Sequence, residues 1–303
     1  MCRFVFTFFV LFFSGKVVAQ EHVQVFDDLV HDFLNVRDFT ISKEGDEAYF
    51  SIQSPSQEIS QIVVTRMKNG KWSQPEILPF CDENQYLEPF LSDDGRKLYF
   101  ASNRPNSFST QNFDVWFVER KSKKEKWSDP QNIGSPVNTE LNEFYPTLTK
   151  KGNLYFTLDS PNGLGKDDIY FSEWNGKNYS VPQILSANIN SSGYEFNAFV
   201  SPNEDLLIFT KHGEKDGYGS GDLYFSRKDS KREWSIAENM GLPINTKKME
   251  YCPFYDFETE TLYFTSKRES LEKRKFLNLS DFQQYINSGE NGLSRIYKVK
   301  IKL

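Results

Sequence analysis

Glu143-Phe-Tyr-Pro-Thr-Leu-Thr-Lys-Lys-Gly-Asn-Leu-Tyr-Phe-Thr-Leu158 reads as two short apolar runs turned back on each other at Lys150-Lys-Gly152. A polar, glycine-rich loop, Ser160-Pro-Asn-Gly-Leu-Gly165, leads from it to Asp168-Ile-Tyr-Phe-Ser-Glu173. Asn175-Gly176 is a strong short hairpin signal, and it delivers Tyr179-Ser-Val-Pro-Gln-Ile-Leu185 as a fourth run. Four antiparallel strands in about 54 residues make one propeller blade.

The same grammar recurs along the chain. An apolar, aromatic dipeptide marks each second strand: Tyr49-Phe50, Tyr99-Phe100, Tyr155-Phe156, Ile208-Phe209 and Tyr263-Phe264, at steps of 50, 56, 53 and 55 residues. Self-similarity at this period means stacked or radially arranged units rather than one irregular core. Third strands follow at Gln61-Ile-Val-Val64, Asp114-Val-Trp-Phe117 and Asp222-Leu-Tyr-Phe225, and fourth strands open near Trp72-Ser-Gln-Pro75, Trp127-Ser-Asp-Pro130 and Trp234. Runs such as Leu-Tyr-Phe alternate weakly, as expected where both faces of a strand are buried between neighbouring blades. The aromatic residues, 16% of the chain, then serve mostly as filling between blades. The expected fold is all-β: a five-bladed β-propeller of four-stranded antiparallel blades, over about 36–80, 81–137, 138–190, 191–245 and 246–303.

The fifth repeat departs from the pattern. A long insertion separates Thr261-Leu-Tyr-Phe-Thr265 from Arg295-Ile-Tyr-Lys-Val-Lys300, and within it Leu279-Ser-Asp-Phe-Gln-Gln-Tyr-Ile286 predicts a short helix capped by Ser280. No fourth strand follows Lys300. An incomplete blade leaves an unpaired edge, and His22-Val-Gln-Val-Phe26, alternating polar and apolar, is expected to pair there and close the ring.

Arg3 precedes an apolar run, Phe4 to Phe13, and Val17-Val18-Ala19 supplies small residues before Gln20. The run is about half the roughly 20 residues that a membrane span needs, so residues 1–19 read as a cleaved secretory signal rather than an anchor. Cys2 sits at the wrong end for lipidation. Cleavage shifts the formal charge from -6 to -8, which disfavours a phosphate backbone as partner. Runs such as Lys121 to Lys126 and Lys267 to Lys275 read as solvated hairpin tips. Cys81 and Cys252 lie in non-adjacent repeats, so a bridge between them is not expected.

With the repeat written out, the chain resembles the TolB-type, WD-like propeller repeats of bacterial envelope proteins. The likeness rests on Ser92-Asp-Asp-Gly-Arg-Lys-Leu-Tyr-Phe-Ala-Ser-Asn-Arg-Pro105, Asp114-Val-Trp116 and Trp127-Ser-Asp-Pro-Gln-Asn-Ile-Gly134, with Asn138-Thr-Glu140, Gly163 to Tyr170 and Asn291 to Tyr297 fitting as well. It covers nearly all of residues 36–301 and is specific for the repeat rather than for a function. Such propellers serve as partner-binding domains, sensor modules and parts of carbohydrate-active enzymes. TolB itself carries an extra N-terminal α/β domain without a counterpart in this sequence, so its particular partners are not implied.

One constellation of acids stands out. Glu88, Glu143, Glu195 and Glu250 open the innermost strands of blades two to five, although Glu88 lies two places later relative to its proline. Inner strands line the central channel, so these carboxylates are expected at one mouth, beside Tyr86, Tyr145, Tyr194 and Tyr251, whose rings suit stacking on sugars. Convergent carboxylates bind cations or act as acid and base on a glycosidic bond. The structural alternative is that every blade needs the same contact. Asp114, Asp168 and Asp222, each before a third strand, read as turn-stabilising residues rather than calcium ligands. His22, His31 and His212 have no second His or Cys at ligand spacing, and Gly217-Tyr-Gly-Ser-Gly221 sits between two strands as a hairpin loop. The sequence therefore points to an exported, periplasmic or secreted, monomeric module without cofactor or metal that recognises an envelope protein or a glycan. A glycoside hydrolase or lyase using channel-facing carboxylates is the alternative.

Overall fold

The structure, a computed structural model, describes residues 22–105, 112–287 and 289–303. The leader reading of residues 1–19 lies outside the described residues. Five inner strands, Asn35–Ile41, Tyr86–Leu91, Glu143–Leu148, Tyr194–Val200 and Glu250–Asp256, surround one axis, each in contact with the next and the last with the first. Each leads by an antiparallel hairpin into a second strand and then a third, so the molecule is an all-β, five-bladed propeller.

The dipeptides that mark the repeat sit in the middle of the second strands, and all ten residues are buried. Their burial on both sides explains the weak alternation. One side meets the blade before, the other the blade after. Across the join between last and first blades, for example, Tyr263 stacks on Phe39 at 4.3 Å. Ion pairs reinforce the outer parts of these seams: the buried Arg120 of blade two holds Glu47 of blade one at 2.6 Å.

The fourth strands are shorter than expected. They shrink to two residues each, at Glu76–Ile77, Gln131–Asn132, Gln183–Ile184 and Glu238–Asn239. In three of the four, pairing begins directly after Pro75, Pro130 or Pro182. A proline has no amide hydrogen to give the ladder, so pairing starts beyond it. Tyr179, expected within such a strand, makes only an isolated bridge to Trp174.

The ring closes as the sequence predicts. Gln24 and Val25 pair with Lys298 and Tyr297, and the Phe26 amide donates to Ile296 O at 2.9 Å. Phe26 is buried, with its ring 4.7 Å from Phe39 and 5.3 Å from Trp72, so the closing strand is anchored by one aromatic side chain on the first blade. The inserted helix also forms, over Leu279–Asn287. Its cap is Asn278 rather than Ser280: Asn278 Oδ1 accepts the Asp281 amide at 3.0 Å, and its carbonyl accepts the Phe282 amide. Cys81 and Cys252 are free thiols.

Because Phe26 is the buried side chain of the closing strand, Phe26→Ala is expected to cost about 3–5 kcal/mol in urea unfolding. A loss below about 1 kcal/mol would show that the ring holds without the N-terminal strand.

Candidate functional site

All five inner strands break register at the same place. The shift falls between Arg37 and Thr40, Leu87 and Phe90, Phe144 and Thr147, Phe196 and Phe199, and Tyr251 and Phe254. Within each bulge one residue adopts the left-handed conformation: Asp38, Glu88, Tyr145, Asn197 and Cys252, with φ between 52° and 61°. This brings their side chains together at the axis. Arg37 binds them there: its Nε donates to Asp38 Oδ1 at 2.6 Å, and its Nη2 to Glu88 Oε1 at 2.8 Å and Cys252 Sγ at 3.4 Å. Glu88 also accepts from the Tyr145 amide at 2.6 Å and from Asn197 Nδ2 at 3.2 Å. The Cys252 thiol donates to Asp38 Oδ1 at 2.8 Å, and the Tyr145 hydroxyl to Pro253 O at 2.9 Å. Burial pushes the Glu88 carboxyl up, while the Arg37 guanidinium pulls it back. The Cys252 thiol is pushed well up, by burial first and then by Asp38, which keeps it in the unreactive, protonated form.

The two-place offset of Glu88 thus has a structural meaning. Glu88 belongs to the axial cluster, whereas Glu143, Glu195 and Glu250 sit two positions earlier, at the strand starts, and are engaged locally. Glu143 Oε1 accepts the Thr139 hydroxyl at 2.6 Å. Glu195 takes the Ser191 amide and hydroxyl at 2.7 and 2.6 Å, and Glu250 takes the amide and hydroxyl of Thr246 and the hydroxyl of Ser266. The four carboxylates expected at one mouth therefore occupy two levels. The tyrosines divide as well. Tyr145 and Tyr251 lie at the axis, the Tyr251 ring 5.1 Å beneath the Arg37 guanidinium. Tyr86 is buried with its hydroxyl on Asp82 at 2.8 Å, and Tyr194 stands partly exposed, its ring 5.5 Å from that of His212.

The loops on this face are pinned by side chains. Asp168 Oδ2 accepts the amides of Leu164 and Gly165, and Asp222 Oδ2 those of Tyr218 and Gly219. A Cβ at Gly165 or Gly219 would run into the carbonyl of Gly193 or Lys248, so these loops need glycine where they meet the next blade. Asn138, Asn190 and Asn245 each bind both backbone groups of one third-strand residue, Val115, Ile169 and Leu223.

The opposite face is open. Where the inner strands end, a cavity of about 1150 Å³ lies within the ring of hairpin turns. Its wall includes Phe90, Leu148, Phe199 and Phe254, and higher up Trp127, Phe257, Lys43, Asp93, Arg96, Lys150 and Glu258. Beneath it Phe39, Pro89, Pro146 and Pro253 surround a void of only about 10 Å³, no larger than one water. That apolar layer separates the funnel from the axial cluster. Sequence reading missed both the cluster and the funnel. A faint signal for the cluster exists: its five residues stand ten or eleven places before the aromatic dipeptides, three of them directly before proline.

No family model matches the chain, and no curated protein matches it in sequence. Solved structures do. An α-L-arabinofuranosidase from Podospora anserina, in complex with cellotriose, is 13% identical, with 95% of each chain covered and a TM-score of 0.56. The endo-arabinanase from Bacillus licheniformis is 14% identical, covering 88% of this chain and 93% of that one, at 0.50. A putative TolB from Agrobacterium tumefaciens is 11% identical, with 76% and 69% covered, at 0.49. Propellers of the TolB type and of glycoside hydrolases are thus both among the neighbours, and at these identities the likeness is one of fold alone.

Glu143 Oε2 is buried without a partner among the described residues, and burial pushes this carboxyl from 4.5 up to about 8. The folded chain therefore holds a proton that the unfolded chain releases near 4.5, so this group's stabilising share is lost as pH rises from about 5 to 8. Glu143→Gln, neutral throughout, is expected to flatten that decline in urea midpoints measured across this window. An unchanged slope would show Glu143 ionised in the fold.

Proposed function

We propose that this chain is an exported, non-catalytic binding propeller of the cell envelope, acting as a monomer and receiving a protein or glycan ligand in the funnel. The observation that carries this reading is the state of the axial carboxylates. Glycosidic hydrolysis uses two carboxyl groups facing the substrate across about 5–9.5 Å. Asp38 and Glu88, the axial pair, are instead filled by donors from the chain itself and lie beneath the apolar layer, while Glu143, Glu195 and Glu250 are held by their own turns. The funnel offers what recognition needs: a large concave surface with aromatic walls and a few charged groups. Its volume slightly exceeds the roughly 300–1,000 Å³ typical of small-molecule sites.

Export rests on the leader read in residues 1–19, and no helix among the described residues is long and apolar enough to cross a membrane. Intact-mass measurement of protein recovered from the periplasm or medium should find an N-terminus at Gln20, and a chain retaining Met1 there would remove the leader from the account. The binding role is tested by two measurements on the purified protein. It should release no reducing sugar from a broad panel of polysaccharides. In pull-downs from envelope extract, Phe257→Asp, a change at an exposed rim position, should lower the captured ligand at least about tenfold. Turnover of any polysaccharide, abolished by Glu88→Gln, would replace this reading with the enzymatic one.

A further inference from the structure

We infer that the ligand of the funnel is an extended protein segment bearing one large apolar side chain, with charged residues of both signs beside it. The inference rests on the funnel being the binding site and names what enters it. Its first support is the chemistry of the wall. Phe90, Leu148 and Phe199 belong to the main hydrophobic core, with Phe254 packed against it, so the deep end of the funnel is apolar and fixed in place. An apolar anchor gains from burial there, whereas buried sugar hydroxyls would lack partners.

The second support is the fate of the turn hydroxyls. Ser42, Ser92 and Ser201 donate to Asp46, Asp94 and Asp205 of their own turns at 2.6, 2.7 and 2.6 Å. Thr149 accepts the Asn153 amide, and Asp256 accepts the Glu258 amide and the Thr259 hydroxyl. The Ser and Thr oxygens at these turns are already engaged in holding the rim, and Asn203 Oδ1 accepts from Lys150 Nζ.

The third support is an asymmetry. The residues that follow these five turn positions are Lys43, Asp93, Lys150, Pro202 and Phe257. At these positions blades one to three present charges of alternating sign, Lys43 paired with Glu258 of blade five at 3.3 Å and Lys150 bonded to Asn203 of blade four, while blades four and five present apolar groups. Phe257 is 43% exposed, and its ring lies 6.4 Å from Phe199, which in turn meets Phe254 at 5.3 Å. One side of the funnel is therefore a continuous aromatic wall from rim to floor, and the other is a charged lip. A peptide crossing it places its anchor on blades four and five and its charged neighbours on blades one to three.

The experiment presents the chain from Gln20 onward to a phage-displayed library of random 12-residue peptides and, in parallel, to a glycan array. Phe257→Ala and Lys43→Glu are the variants, checked for an unchanged unfolding curve. The inference expects selected peptides to share an aromatic or branched aliphatic residue flanked by charges. It expects their affinity to fall at least about tenfold in Phe257→Ala, and Lys43→Glu to shift the preferred charge. Glycan binding lost in Phe257→Ala, without peptide selection, overturns the inference and leaves the funnel as the site. Selected peptides lacking an apolar anchor overturn it too. If nothing that binds responds to Phe257→Ala, the funnel reading fails with it.

Discussion

The repeated bulge at the axis is the constraint on which the rest of the molecule depends. Five inner strands are forced close together at the centre of a propeller, and each yields by placing one non-glycine residue in the left-handed region. Such a conformation costs of order 1–2 kcal/mol per residue. It persists because the kink turns Asp38, Glu88, Tyr145, Asn197 and Cys252 inward, where they bind one another across blades. Arg37 is the member that makes this arrangement tolerable. Asp38 and Glu88 are two buried carboxylates, and an uncompensated buried charge costs about 3–5 kcal/mol. One guanidinium reaching both, with the Glu88 and Tyr145 backbone amides and the Asn197 side-chain amide filling the remaining acceptor positions, ties all five blades at a single point.

From that centre the two faces follow different rules. On the face where inner strands begin, each blade must be linked to the next, and the links are side chains: the asparagines that bridge to the preceding third strand, and the glutamates that hold the Thr or Ser four residues earlier. A residue engaged in this way is constrained by the fold and is poorly placed to specify a ligand. On the face where inner strands end, each turn closes on itself through a single Ser, Thr or Asp. The residue that follows differs in type from blade to blade, from Lys43 and Lys150 to Pro202 and Phe257, so the funnel is not five-fold uniform.

The architecture was legible in the sequence because its cause is periodic. Buried dipeptides recur with the blade, and the missing fourth strand after Lys300 could be matched to His22–Phe26 by its alternation. The candidate site was less legible, for a physical reason. Which carboxylates meet at the axis depends on a backbone kink, not on composition, and a shift of two positions decides whether a glutamate faces the axis or its own turn. The sequence shows that shift for Glu88, but only the bulge gives it meaning. Asp38, Asn197 and Cys252 share no residue type with Glu88, so no pattern of identities could group them. The shortened outer strands were missed because a Trp-x-x-Pro signature announces the strand while its proline withholds the first ladder bond.

The same division between constrained and unconstrained positions bears on how the funnel works. Its floor is built from side chains that also fill the core between blades, and the closed Pro and Phe layer beneath it rests on the axial cluster. On the proposed reading, a ligand meets a floor already fixed by core packing, which limits the entropic cost that flexible paratopes pay on binding. Specificity on that reading lies in the rim, at Lys43, Asp93, Lys150, Pro202 and Phe257, with Lys43 paired to Glu258 and Lys150 bonded to Asn203 across blade joins. By the same proposal, the energy of binding comes from an apolar floor shared with the core, and the choice of partner from five turn residues that differ between blades.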